Sequence, residues 1–334
     1  MLIYVLIAIL FFLFKNINNK YIQIICVGIL FLMGAFRAYT VGTDTYNTFL
    51  VYESGIGMFA KKGEYGLELL TNYIIDHNYS MRWELIITQM LFIGSLFFFC
   101  YKKAQKPLLM MLLFILCGYV YMSYNITRQM LALSIVIWAY YNRYEKGSPV
   151  PFVLVILLAT LIHSSAIVVF LIFFIDKYRY PKMATIIILI VTFIIPQVFS
   201  MNFIAEFVTS RISLWNRYSY YLESEERGTF SINRLFMNLF FIYLIIQHYI
   251  KVNNDLFFKS MVFGLVILNL FPAYPVITRI GLYFTAVQPV FFYHFIQYGK
   301  VEDKAMVAFY TIAIYATFLL SNNGGIVPYD IGGF

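Results

Sequence analysis

Apolar runs alternate with short basic loops along almost the whole chain. They fall at residues 2–14, 21–38, 83–101, 107–123, 126–142, 149–175, 182–200, 234–250, 256–271, 276–298 and 303–320. Stretches such as IIILIVTFII show no two-residue alternation, unlike the short amphipathic strands of a membrane β-barrel, so the pattern predicts helices. The expected fold class is all-α, a polytopic integral membrane helical bundle forming a single domain over 1–334. Two connections are long, 39–82 and 201–233. Within the first, LELLTNYII at 67–75 repeats Leu67, Leu70 and Ile74 at helical spacing, which predicts a helix lying along the membrane surface.

Orientation follows from the basic loops at 15–20, 102–106, 143–146, 177–182, 251–259 and 300–304, all cytoplasmic by the positive-inside rule. The run at 149–175 breaks the alternation if it crosses once, because Lys177, Arg179 and Lys182 would then face outward. As one helix it would also be about 40 Å long against a hydrocarbon core of about 30 Å. A hairpin turning near His163, Ser164 and Ser165 restores the pattern for every later loop. A turn at that depth requires a wet, protein-walled cavity. The expected topology has about 12 crossings, with both termini and the loops 39–82 and 201–233 outside. The opening MLIYVLIAILFFLF has neither a positive n-region nor a small-residue cleavage site, and reads as a retained first span.

Composition agrees with a membrane protein. The chain is 62% apolar and 12% charged, against about 25% charged in soluble domains, and its mean hydropathy is +0.78. The net charge of +8 is accounted for by the cytoplasmic loops, so no nucleic acid partner is expected. Cys26, Cys100 and Cys117 all sit in apolar runs and form neither a disulfide framework nor a metal spacing. His77, His248 and His294 likewise lack metal-ligand spacing. No metal and no cofactor are expected. Asn125-Ile126-Thr127 matches a glycosylation sequon and reads as chance.

The candidate chemistry gathers on the outer side of this topology. Arg37 closes an apolar run just before Gly42, Thr43 and Asp44. Asn125, Arg128 and Gln129 interrupt another, and an outward arginine runs against the positive-inside rule. His163 and Ser164 stand in a run with no other ionisable group, which makes a buried histidine at membrane depth a functional candidate. Arg279 and Tyr283 follow Pro272 and Pro275, which break any helix there. Glu64 is a loop carboxylate. Each has a plainer reading: the arginines as interfacial anchors, Thr43 or Asp44 as the cap of a helix starting near Thr45, His163 as a satisfied core residue, Glu64 as solvated surface.

The ordered set Arg37-x3-Val-Gly-Thr-Asp-x3-Tyr, Asn125-x2-Arg128-Gln129, His163-Ser164-Ser165-Ala166 and Arg279-x3-Tyr283-Phe284 resembles the EpsG family, which belongs with Wzy-type polysaccharide polymerases. The resemblance spans roughly residues 30–295. Glu64-Tyr65-Gly66-Leu67 departs from it, with Tyr65 where members tend to carry proline. The resemblance implies a membrane glycosyltransferase of the bacterial plasma (inner) membrane. It would join undecaprenyl-pyrophosphate-linked oligosaccharide repeats into capsular, exopolysaccharide or O-antigen chains at the outer face. Candidate partners are a chain-length regulator and a flippase of the same pathway. Arg37, Arg128 and Arg279 would bind the substrate's pyrophosphate. Thr43, Glu64, Asn125, Gln129, Ser164 and Tyr283 complete the substrate-binding set. Asp44 and His163 are the catalytic candidates, with Asp44 favoured as base and His163 as orienting group. A lipid-linked glycan ligase would use the same groups, and a flippase is the rival from another class. Polar groups concentrated toward one face, with no internal repeat, favour an enzyme.

Overall fold

The computed structural model describes residues 1–53, 64–147, 149–201, 230–252, 254–322 and 324–332. The expected outer loop at 201–233 lies almost entirely outside them. The chain divides into two compact units, residues 1–167 with 289–334, and residues 168–288. The described residues are helical apart from connecting segments and one isolated β-bridge. The helices Arg82–Lys103 and Val301–Ser321, and the helical stretch Pro275–Tyr298 taken across its break, are long and apolar enough to cross a membrane, and several shorter apolar helices accompany them.

The first unit contains α1 (Leu2–Phe14), α2 (Lys20–Ala35), α3 (Thr43–Glu53), α4 (Tyr65–Asp76), α5 (Arg82–Lys103), α6 (Pro107–Leu116), α7 (Tyr119–Met122), α8 (Thr127–Lys146) and α9 (Pro149–Ile162). Residues 107–115 of α6 are all buried, and α1 and α5 pack against it. The succession α2, α5, α8, α9 packs pairwise, and α4 lies against α5 and α9. Between α2 and α5 the approach is close: a Cβ on Gly34 would stand 2.6 Å from Oε1 of buried Gln89.

The second unit contains α10 (Ile172–Ile175), α11 (Lys182–Val198), α12 (Ile232–Val252), α13 (Leu256–Leu270) and α14 (Pro275–Thr285). Its α13 and α14 meet backbone to backbone, since a Cβ on Gly264 would lie 2.9 Å from the Gly281 carbonyl oxygen. Small residues at such crossings are the usual route to close packing between apolar helices. A buried amide pair ties three helices together. Asn238 and Asn269 exchange Nδ2–H···Oδ1 bonds of 2.9 Å each way, and Asn269 Nδ2 also reaches Thr192 Oγ1 at 3.2 Å. Beyond this unit run α15 (Gln288–Tyr298, of which Gln288 itself counts with the second unit) and α16 (Val301–Ser321).

Several expected spans are interrupted. The run at 107–123 divides at Gly118, whose φ of 83° is a left-handed conformation that ends α6 and starts α7. The run at 276–298 divides between Thr285 and Gln288. The run at 21–38 leaves the helix after Ala35, because Arg37 pairs with Ile331 in the isolated β-bridge. In the run at 149–175, α9 stops at Ile162 and a 3₁₀ helix spans Ser164–Leu171. The His163 N–H closes α9 on the Ala159 carbonyl, and the His163 carbonyl accepts the first tighter bond, from Ala166 N–H. The break therefore sits at the histidine where the sequence asks for one. At about 21 Å, α9 is shorter than a hydrocarbon core of about 30 Å.

Candidate active site

The loop that begins with Arg37 is held from below. Gly42 has φ +97°, and a Cβ there would lie 2.1 Å from the Tyr124 carbonyl oxygen. With glycine in place, the loop backbone presses onto the turn before α8. Thr45 Oγ1 donates to that same carbonyl at 2.6 Å. Asn125 completes the contact: its Oδ1 accepts from Thr43 Oγ1 at 3.0 Å and from the Asp44 N–H at 2.8 Å. Asn125 thus supplies the acceptor that the first turn of α3 needs. This differs from the expectation that Thr43 or Asp44 caps a helix starting near Thr45. The helix begins at Thr43, and an asparagine from another part of the chain caps it. Asp44 is left half-exposed in the first turn, where its negative charge suits the helix dipole.

Residues 324–332 hold the loop from the other side. Gly42 N–H donates to Gly325 O at 3.0 Å, Thr43 N–H to Gly324 O at 3.1 Å, Ala38 N–H to Asp330 O at 2.9 Å, and Gly332 N–H to Phe36 O at 3.0 Å. Sequence reasoning assigned this segment no role, since an apolar window ends at 320 and backbone pairing leaves no residue signature.

A second group forms beside this loop around Glu64. Its carboxylate is 1% exposed and receives Arg128 Nη1 at 2.5 Å on Oε2. On Oε1 it meets His163 Nδ1 at 2.6 Å. Arg128 and His163 are 24% and 18% exposed, so the acid lies behind the two groups it joins. Burial pushes the Glu64 carboxyl pKa up. The hydrogen bond from His163 and the charge of Arg128 outweigh this and leave it below its ordinary value. Local sequence explains how three distant positions meet. Gly66 follows Glu64 closely in α4, and a Cβ there would stand 3.2 Å from the Leu161 carbonyl oxygen. The absence of a side chain lets the first turn of α4 settle against the end of α9. His163 follows at once in a non-helical position, and Arg128 lies in the first turn of α8. Ser164 opens the 3₁₀ helix next to His163 and is half-buried.

Other candidates are placed differently. Arg37 is fully buried. Its guanidinium donates to the Gly34 carbonyl and to Thr45 Oγ1 and Thr127 Oγ1, each hydroxyl at 3.2 Å, and lies over the Tyr124 ring. It joins α2, α3 and α8 from inside the fold. Arg82, which sequence reasoning passed over, is 1% exposed and donates to the carbonyls of Ala35 at 3.0 Å and Arg37 at 2.6 Å. Gln129 is buried beside Arg128. Arg279 and Tyr283 belong to the second unit, one turn apart on α14, half-buried and fully buried respectively. Among the described residues no group of His, Cys, Asp and Glu is placed to hold a metal ion.

An all-helical protein with apolar helices of membrane length, carrying a buried acid–arginine–histidine cluster beside a capped loop, is a membrane protein with a built polar site. The chain belongs to the EpsG family: the model of that family matches residues 19–331. Membership makes it a membrane protein of polysaccharide biosynthesis. No curated protein and no solved structure matches the chain.

Proposed function

We propose that this chain is a glycosyltransferase that polymerises oligosaccharide repeats carried on a polyprenyl pyrophosphate, at the outer face of the bacterial plasma membrane. The topology in this reading is the one expected above, with about 12 crossings and both termini outside. The observation that most supports it is the grip of buried Glu64 on both Arg128 and His163. A cation suited to an oxyanion and an imidazole suited to proton transfer are held by one rigid acid.

The chemistry is a displacement at the anomeric carbon of the donor sugar. The acceptor hydroxyl oxygen forms a bond to that carbon, and the bond to the pyrophosphate oxygen breaks, its electron pair leaving with the lipid pyrophosphate. The hydroxyl proton passes to a base, for which Asp44 and His163 are the candidates. Arg128 donates to the departing phosphate oxygens, where a planar guanidinium gives fixed, multidentate contacts in a water-poor site. Thr43, Asn125, Gln129 and Ser164 supply hydroxyl and amide groups for the sugars. Arg37 serves behind them, holding the loop.

Sizing products tests the reading. Cells lacking this chain should accumulate single repeats on exported lipid, and the purified protein should convert those extracted repeats into long chains. Accumulation on the cytoplasmic side would identify a flippase, and unchanged repeats would reject polymerisation. Orientation is read separately by an impermeant thiol reagent on intact cells with Lys177→Cys in a cysteine-free background. Labelling from outside would overturn the hairpin topology.

A further inference from the structure

We infer that Glu64 is a positioning residue that fixes His163 in the tautomer with its proton on Nδ1, and that His163 Nε2 is consequently the atom that takes the acceptor's proton. The inference rests on the glycosyltransferase reading and deepens it at the same site. It departs from the preference for Asp44 as base that the sequence suggested.

The argument starts from the acid. An ionised carboxylate only accepts hydrogen bonds. Glu64 is ionised, because Arg128 pairs with Oε2 at 2.5 Å in a nearly closed environment. The ring nitrogen 2.6 Å from Oε1 must therefore carry a hydrogen, and that nitrogen is Nδ1. In a neutral imidazole with Nδ1 protonated, Nε2 holds the lone pair. Because Arg128 already compensates the carboxylate, the cluster is electrically balanced with the imidazole neutral. A carboxylate facing the imidazole alone would favour the imidazolium, which has no lone pair to offer. The second charge thus keeps the ring a base while the acid sets its direction. Nδ1 is pinned toward buried Glu64, so Nε2 points away from it, and the ring is part-exposed. Asp44 sits differently: its backbone N–H is bound by Asn125 in the first turn of a helix. In the transfer, the acceptor O–H proton moves to Nε2 as that oxygen bonds to the anomeric carbon and the pyrophosphate departs. The resulting imidazolium is then stabilised by Glu64.

The test uses the full-length protein in lipid nanodiscs, labelled with ¹⁵N-histidine, with His163 assigned by comparison with His163→Gln. The substrate is lipid-linked repeats extracted from cells lacking the chain. Wild type should show His163 neutral and protonated on Nδ1 at pH 7. Glu64→Ala should release the ring into a mixture of tautomers and lower kcat about 100-fold, the scale of lost general-base help. Glu64→Gln keeps an oxygen acceptor for Nδ1 but opposes Arg128 with an amide. It should keep the tautomer and raise the donor KM more than it lowers kcat. An Nε2–H tautomer or an imidazolium in the wild type would overturn the inference. So would an unchanged ring signal with full kcat in Glu64→Ala. If wild-type protein leaves the repeats unjoined, the polymerase reading and the proton-transfer step fall together. The ¹⁵N spectrum then still decides whether Glu64 sets the tautomer.

Discussion

Gly42 and Tyr124 come so close that a single added carbon would lie 2.1 Å from the Tyr124 carbonyl oxygen. That approach seats the loop carrying Thr43 and Asp44 on the turn carrying Asn125. Gly42→Ala meets both a backbone clash and a positive φ, each unfavourable for a side chain. The variant is expected to lose more than about 1 kcal/mol of stability and to polymerise little even where it persists. Thermal unfolding of the purified protein, with product sizing at matched protein level, checks this. Wild-type values for both would show that the loop is seated by other contacts.

Arg128→Lys keeps a charge for Glu64 but not the planar fork. Lysine is a point charge with rotatable donors, and an acid and a pyrophosphate cannot both be met in fixed geometry. Polymerisation should fall at least about 10-fold, a loss of about 1.4 kcal/mol of transition-state stabilisation, while expression stays normal. Turnover near wild type in a well-expressed variant would reduce Arg128 to a structural partner of Glu64.

Part of this was legible in the chain. Arg128 stands out because the expected topology sets it on the outer side, against the positive-inside rule. The break at His163 followed from a run of 27 residues, too long for one crossing. Glu64 was not legible as a central residue. Its partners lie 64 and 99 residues away, and nothing in a polar loop reveals that one of its acids is buried. Arg82, at the start of α5, is closed over by backbone carbonyls that its neighbours in sequence do not reveal. A sequence shows the charge of Arg37 and not the carbonyl and hydroxyls that surround it.

Asp44 and His163 can be separated by matched substitutions. Asp44→Asn is nearly isosteric and leaves the backbone contact to Asn125 in place. His163→Gln removes the imidazole. With His163 as base, His163→Gln should slow polymerisation about 100-fold or more, and Asp44→Asn less than about 10-fold. Rates measured at equal membrane levels decide. The reverse order would return the base assignment to Asp44.

Glu64 also predicts how stability responds to acid. Its folded-state carboxyl titrates below the ordinary glutamate range, near pH 4.3 for a free side chain. A depressed folded pKa contributes stability that is fully present above the unfolded pKa. That contribution is lost as pH falls through the folded one. Below about pH 5, where the Glu64 carboxyl begins to take up protons, the stability difference between wild type and Glu64→Gln should shrink on further acidification. Unfolding midpoints in detergent across this range provide the measurement. A difference that widens below about pH 5 would contradict the ion pair with Arg128.

In the second unit, the Asn238–Asn269 amide pair should behave as one device. Asn269→Leu leaves buried Asn238 Oδ1 without its Nδ2–H donor, and Asn238→Leu does the same to Asn269 Oδ1. The double variant removes both needs at once and should be less damaged than the sum of the singles, by about 1 kcal/mol. A double-mutant cycle on unfolding free energies measures that coupling. Simple additivity would show that the two amides act independently.

The pairing of Arg37 with Ile331 has a consequence in time as well as space. The loop around Gly42 is synthesised early, but the backbone groups that receive its N–H donors, at Gly324, Gly325 and Asp330, are made after every described helix. Until then the loop lacks one of its two walls. A chain that ended within α16 would keep the contacts of the loop to Tyr124 and Asn125 and lose those to residues 324–332. Gly42 and Thr43 reach these partners only in a chain extended past α16.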